Sequence, residues 1–202
     1  MTEPQTNKEK LIQVAIDLFS LKGFKGTSIR DIANEMGMSI SNIYHYFGSK
    51  EGLWLAILEH SGTGVLEKLR EVSEREIDPL ERFKLLVETH VARSRHHQKE
   101  AKIFFIDEEQ LTEEGNKINQ KIQREILDIY LKELRILEEM GYLKCRSLKI
   151  LAFNILGVIN WQLRWYRPDG PLSLEEVSQD IVSFVMQGIL SGQPSNSNPT
   201  NP

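Results

Sequence analysis

Apolar residues recur every three or four positions along almost the whole chain, and the strict alternation of strands is nearly absent. This pattern confines the chain to helices, because a period near 3.6 draws one apolar stripe on a helix but scatters it over both faces of a strand. The prolines, at positions 4, 79, 168, 171, 194, 199 and 202, fall outside the periodic segments. Helices require this, since an interior proline removes a hydrogen bond and clashes with the preceding turn. The expected fold class is all-α.

Capping residues divide the pattern. Thr6 with Glu9 predicts a first helix on the face Leu11, Ala15, Leu18 and Phe19, ended by Gly23. Ser28 with Asp31 opens a short helix to about Glu35, and Gly37 stops it. Ser39 caps a second short helix, Ile40 to Phe47, and Ser49 caps a long one running from Lys50 towards Val72. Asp78-Pro79 then opens a helix to about His96. Further helices are expected near Lys99–Gln110, Thr112–Met140 (ended by Gly141), Ser147–Trp165 and from Ser173, capped with Glu176, to about Leu190. The ends, 1–5 and 191–202, are polar and rich in Pro, Asn and Ser, the composition of flexible tails. The division read from this is a unit over 1–50, a larger body over 51–190 and a disordered tail over 191–202.

With 40% hydrophobic and 27% charged residues among 202, the chain has material for a buried core, which excludes full disorder. A net charge of −4 excludes a histone-like basic coat but not a local nucleic-acid site. Residues 1–50 carry about +1 and the remainder about −5, an asymmetry of the right sign for DNA but small. Cys145 is the one cysteine, so no internal disulfide or CxxC metal site exists, and a reducing, cytoplasmic setting is expected. Its neighbours Lys144 and Arg146 leave open a redox-sensing thiol beside the plainer reading of an inert one. The longest apolar stretch, Ile150 to Trp161, is shorter than the ~20 residues that span a bilayer, so no membrane association is expected.

The two short helices joined at Gly37-Met38-Ser39 have the layout of a helix-turn-helix. Ile32, Ala33 and Met36 face the partner helix, and Ile43 and Phe47 anchor the second helix at i, i+4. Ile40, Ser41, Asn42, Tyr44 and His45 are then left pointing outward, small polar groups at the helix start where base edges can be approached. Tyr44, His45, Tyr46 and Lys50 can reach flanking phosphates. Thr27, Ser28 and Ser39 are caps first, and DNA contacts because a helix N-terminus beside a phosphate does both. Tyr44 as a core aromatic, and Arg30 paired with Asp31 or Glu35, are the structural alternatives.

The segments Gly23-Phe24-Lys25-Gly26-Thr27-Ser28-Ile29-Arg30-Asp31-Ile32-Ala33, Gly37-Met38-Ser39 and Ile43-Tyr44-His45-Tyr46-Phe47-Gly48-Ser49-Lys50-Glu51-Gly52-Leu53 resemble the TetR family of bacterial repressors over about residues 8–56. The resemblance implies an all-helical homodimer: an N-terminal DNA-binding domain that grips a double-stranded operator and a C-terminal domain that binds a small-molecule inducer and dimerises. The family's motif tyrosine falls on Tyr44, its phosphate-binding lysine on Lys50, and its helix-start polar positions on Ser39 and Ser41. One departure is plain: no Lys or Arg lies between Met38 and Phe47, so guanine readout by a basic recognition-helix side chain is not expected.

In the body, Asn160, Trp161, Arg164, Trp165 and Arg167 gather at one helix end, with Trp161 and Trp165 one turn apart. Arginines beside an apolar pocket suit a ligand with an anionic head and an apolar tail; the alternative places both tryptophans in a dimer interface or core. Together with Phe104 and Phe105, this stretch resembles a TetR subgroup controlling lipid, steroid or aryl-acid degradation, whose inducer is typically an acyl-CoA thioester. Neither a cofactor nor a metal is expected. His90 and His97 are seven apart, not at zinc-pair spacing, although Asp107, Glu108 and Glu109 lie near in sequence. No nucleophile–base or paired-carboxylate arrangement points to catalysis. Two rival readings stay open: a regulator of an efflux pump answering to an apolar drug, and a helical lipid carrier or enzyme that keeps the helix-turn-helix as scaffold.

Overall fold

The computed structural model describes residues 7–96, 112–167 and 169–190. Every regular element among them is α-helical: α1 (Asn7–Gly26), α2 (Ile29–Met36), α3 (Ile40–Phe47), α4 (Lys50–Ser73), α5 (Pro79–His96), α6 (Glu113–Glu139), α7 (Leu148–Trp165) and α8 (Leu174–Leu190). The expected helix near Lys99–Gln110, with Phe104 and Phe105, lies outside the described residues, as do Thr6 and the tail from 191.

The caps explain these boundaries. Ser39, Ser49, Thr112 and Ser147 each accept a backbone N–H three residues on, from Asn42, Gly52, Gly115 and Ile150. Ser173 and Glu176 close a reciprocal box at the start of α8. The first helix departs from expectation in part. Gly23 does leave helical geometry (φ 74°), but the chain resumes one more turn to Gly26. That turn swings Phe24 back onto Trp54, ring centroids 4.9 Å apart.

Helices α1 to α3 and the start of α4 share a core of Leu11, Ala15, Phe19, Ile32, Ile43 and Trp54. Phe19 meets Trp54 edge-on at 5.0 Å, so α4 begins as part of this unit. Further along, α4 packs on α5 and α6. At Gly62 the approach is so close that a Cβ there would stand 2.4 Å from Ile122 Cδ1. At its end, Ser73 Oγ donates to Glu133 Oε1 (2.7 Å), and Arg82 Nε donates to Glu133 Oε2 (2.8 Å). Helices α5 to α8 bury Phe83, Val87, Tyr130, Leu134, Ile159 and Val185 in the body. One helix therefore joins the two groups without a break in its backbone. No helix among the described residues is long and apolar enough to cross a membrane.

Candidate nucleic-acid interface and ligand region

The turn between α2 and α3 is built by local chemistry. Ser28 Oγ accepts from Asp31 N (3.1 Å) and donates to Asp31 Oδ2 (2.7 Å), while Ser28 N donates to the same oxygen (2.8 Å). These hydrogen bonds from Ser28 hold the Asp31 carboxyl below the usual carboxylate range. Gly37 then adopts φ 63°, and Met38 N closes the helix end on Ala33 O at 3.0 Å. A left-handed residue here re-aims the chain in one step, which only glycine does without a Cβ penalty.

On α3 only Ile43 is fully buried; Phe47 is half-buried. Ile40, Ser41, Asn42, Tyr44, His45 and Tyr46 are all exposed, as is Ser39 at the cap. The structure thus brings these predicted residues onto one continuous outward surface. This short helix, held by Ile43 and the half-buried Phe47, presents its remaining positions to a partner.

Thr27 is the correction. It is 1% exposed, and its hydroxyl donates to the carbonyls of Leu18 (3.2 Å) and Gly23 (3.0 Å). That hydroxyl ties the α1 break to α2 and is not presented to a phosphate, whereas Ser28 beside it is exposed. Lys50 lies with its ammonium 4.1 Å from the Phe24 ring centroid, a cation–π contact. Partial burial there lowers its pKa. Two residues of this region escaped the sequence reading. Lys8 reaches over the Phe47 ring at 5.8 Å. Gly52 is required by space, since a Cβ on it would stand 2.0 Å from the Phe47 carbonyl oxygen. Its signal in the sequence was a glycine in the first turn of a helix, where glycine is otherwise costly.

The predicted ligand residues divide. Trp161 is 62% exposed and Trp165 is exposed too, so neither is placed against the interior of the body. They fall on the outward side of α7 because they follow Ile150 and Phe153, not the buried stripe Ala152, Ile155, Ile159. Trp161 instead borders an open groove of about 560 Å³ between α7 and α8, with Leu151, Phe153, Val158 and Phe184. Arg164 and Arg167 are exposed, and the Arg164 guanidinium lies 5.9 Å from the Trp161 ring centroid. Asn160 is half-buried. His90 is turned into the core, its Nδ1 3.0 Å from the Tyr130 hydroxyl. Gln162, absent from the predicted set, is fully buried on the inner side of α7.

Comparison with known proteins agrees with this architecture. Residues 11–57 match the model of bacterial regulatory proteins of the tetR family, and residues 76–189 match that of the tetracyclin repressor-like C-terminal domain. The chain is 26% identical over 193 residues to the HTH-type transcriptional repressor KstR2 of Mycobacterium tuberculosis (strain ATCC 25618 / H37Rv), covering 91% of this chain and 93% of that one. Among solved structures it resembles the TetR family regulator PfmR from Thermus thermophilus (TM-score 0.81, 25% identity, 88% of this chain and 97% of that one). It also shares its fold with AibR, solved in complex with isovaleryl coenzyme A and operator DNA (TM-score 0.79, 23% identity, 89% and 97%). An exposed α3 on a capped turn, an α4 shared between two helical groups and these two model matches lead to one conclusion: the chain belongs to the TetR family of bacterial regulatory proteins, as a helix-turn-helix transcriptional regulator.

Proposed function

We propose that this regulator is a homodimeric repressor that binds a palindromic operator and is released by an acyl-CoA of lipid or aromatic-acid breakdown. The observation that carries the DNA half is the surface of α3, where Ser41, Asn42, Tyr44, His45 and Tyr46 are all exposed around the buried Ile43. Set into a major groove, Ser41 and Asn42 near the helix start reach base edges. Tyr44, His45, Tyr46 and Lys50 contact phosphate, as do Ser28 and Ser39 at the helix N-termini. The DNA-binding unit is assigned to residues 1–50 and the ligand-binding and dimerising unit to 51–190. The apolar outer face of α7 and α8, with Phe153, Trp161 and Phe184 exposed, supports pairing with a second copy through those two helices. Two α3 helices then meet half-sites about one turn of DNA, ~34 Å, apart.

The inducer class rests on three supports. KstR2 is a repressor similar over nearly the whole chain. The fold of AibR holds a coenzyme A thioester. Arg164 and Arg167 are exposed at one end of α7, where phosphates of a coenzyme A head can be met by charge-assisted hydrogen bonds. Release follows if the ligand binds better to the dimer whose α3 spacing does not fit the operator. Titrating operator-bound protein with an acyl-CoA and with the matching free acid tests this. The thioester is expected to release DNA at much lower concentration, and Arg164→Ala or Arg167→Ala to blunt the response while leaving unliganded DNA binding intact. Equal potency of thioester and free acid refutes the coenzyme A reading; release by neither refutes the inducer class.

A further inference from the structure

The stripe by which α7 enters the core reads Ala152, Ile155, Ile159 and Gln162, all buried. Three of these positions carry only carbon beyond the backbone; the last carries a primary amide. Gln162 is 1% exposed, and neither Nε2 nor Oε1 has a hydrogen-bond partner among the described residues. Since both atoms are affected, exchanging nitrogen and oxygen does not repair the defect. A buried polar group in this state lowers stability, and an apolar residue of the same size would not. A side chain that weakens the fold where leucine or methionine would strengthen it points to a role in function.

The helices that α7 packs on narrow that role. Helix α7 packs on both α5 and α6. Those helices contribute the buried pair His90 and Tyr130, which hydrogen-bond each other. Burial holds the His90 pKa down to about 4 and pushes the Tyr130 phenol well up, so both are neutral at pH 7. The buried Glu133 carboxylate is already paired with Arg82. These groups offer a ligand neutral hydrogen bonding and not charge. A primary amide presents an N–H and a C=O side by side. A hydroxyl is the smallest group that accepts from the one and donates to the other, whereas a carboxylate or a thioester carbonyl only accepts.

We propose that Gln162 is the specificity residue for a hydroxyl group carried on the apolar part of the inducer, with Nε2 donating to the hydroxyl oxygen and the hydroxyl donating to Oε1. The assignment rests on the reading above that the body binds an apolar ligand. It also fits the position of the arginines. Arg164 follows Gln162 by two residues, about 200° around the helix, and is exposed. One end of α7 thus turns a neutral reader inward and a cation outward, as a hydroxylated acyl group with an anionic head requires.

Thermal unfolding of the full chain, with and without three probes, tests it: 1-decanol, decyl methyl ether (an acceptor only) and decanoate (an anion). For the wild type, decanol is expected to raise Tm at least about threefold more than the ether or decanoate, because a site built to hydrogen-bond a hydroxyl rejects the analogue lacking it. Gln162→Met is expected to melt higher than wild type without ligand and to respond equally to decanol and the ether. The proposal is overturned if the wild type does not prefer decanol, if Gln162→Met keeps the preference, or if Gln162→Met melts lower than wild type when unliganded. Operator release by decanoyl-CoA, measured in parallel, separates the two readings. A Gln162-dependent preference for decanol without release by the thioester upholds this assignment and refutes that inducer.

Discussion

Replacing Gly52 by alanine should disconnect DNA binding from an otherwise intact body. In the first turn of a helix, glycine to alanine ordinarily gains up to about 1 kcal/mol in helix propensity. Here the added Cβ would stand 2.0 Å from the Phe47 carbonyl oxygen and 3.2 Å from its carbonyl carbon. Real contacts of this kind need at least about 3 Å, so the end of α3 and the start of α4 must separate by roughly 1 Å. The obstacle is backbone, so no rotamer change relieves it. Overpacking of this kind costs about 1–3 kcal/mol, which outweighs the propensity gain. Gly52 N also donates to Ser49 Oγ at 2.9 Å, and a displaced first turn loses that cap. Tyr44 and Lys50 sit on either side of the junction, and a phosphate hydrogen bond fails beyond about 3.5 Å. Gly52→Ala is therefore expected to lower operator affinity at least about tenfold, alike for all operator sequences, while ligand binding to the body is unchanged. Fluorescence anisotropy with labelled operator, beside calorimetric melting, reads both effects. An alanine variant with wild-type operator affinity and an unchanged or raised Tm refutes the argument.

Two further outcomes are expected. His90 has a folded-state pKa of about 4 against an ordinary 6.5, so between those values the unfolded chain binds the extra proton and stability falls as pH falls. The loss is up to about 3 kcal/mol and is complete near pH 4; His90→Gln should flatten that part of the curve, and an unchanged curve would show that His90 is not the group responsible. Phe184 is 66% exposed on the apolar face of α7 and α8; Phe184→Glu should yield monomer at micromolar concentration by sedimentation, and a persistent dimer would place the interface elsewhere.

Legibility in the sequence followed the range of the forces involved. Ser28, Ser39 and Ser49 were readable as caps because capping is settled within four residues, and the start of each following helix agrees. The outward surface of α3 was readable for the same reason, since Ile43 and Phe47 at i, i+4 spacing turn one side inward and leave the rest to solvent. Thr27 was misread because its partners, Leu18 and Gly23, lie across the α1 break, and nothing local announces a buried threonine. For Trp161 and Trp165 the sequence left a ligand contact and a dimer interface or core both open, and phase puts them on the outward side of α7. The phase of Ala152, Ile155 and Ile159 selects Gln162 as the inward residue, and the polar character of glutamine hid it. Gly52 and Gly62 needed coordinates, because the neighbours that exclude a Cβ, Phe47 and Ile122, are set by packing and not by period.

The way α4 is held restricts how any ligand can act on DNA. Its start is bound into the DNA-binding unit, with Trp54 against Phe19 and Phe24, and its end is tied by Ser73 to the buried Glu133 and through it to Arg82. Removing one partner of a buried ion pair costs about 3–5 kcal/mol, so a ligand cannot cheaply release that end. Between the two, Gly62 rests on Ile122 of α6 with no side chain to cushion the contact. A tilt of α6 about its Glu133 end would therefore be passed by Ile122 to the middle of α4, and the free response would be rotation about Ser73. A helix rotating about one end moves most at the other, which carries Lys50 and the α3 junction. Moving a dimer from 99% to 1% DNA-competent requires a ligand about 10⁴-fold tighter for the rotated form. Burying an acyl chain against the inner faces of α5, α6 and α7 can supply a difference of that size, because each buried methylene contributes about 0.8 kcal/mol and seven or so suffice.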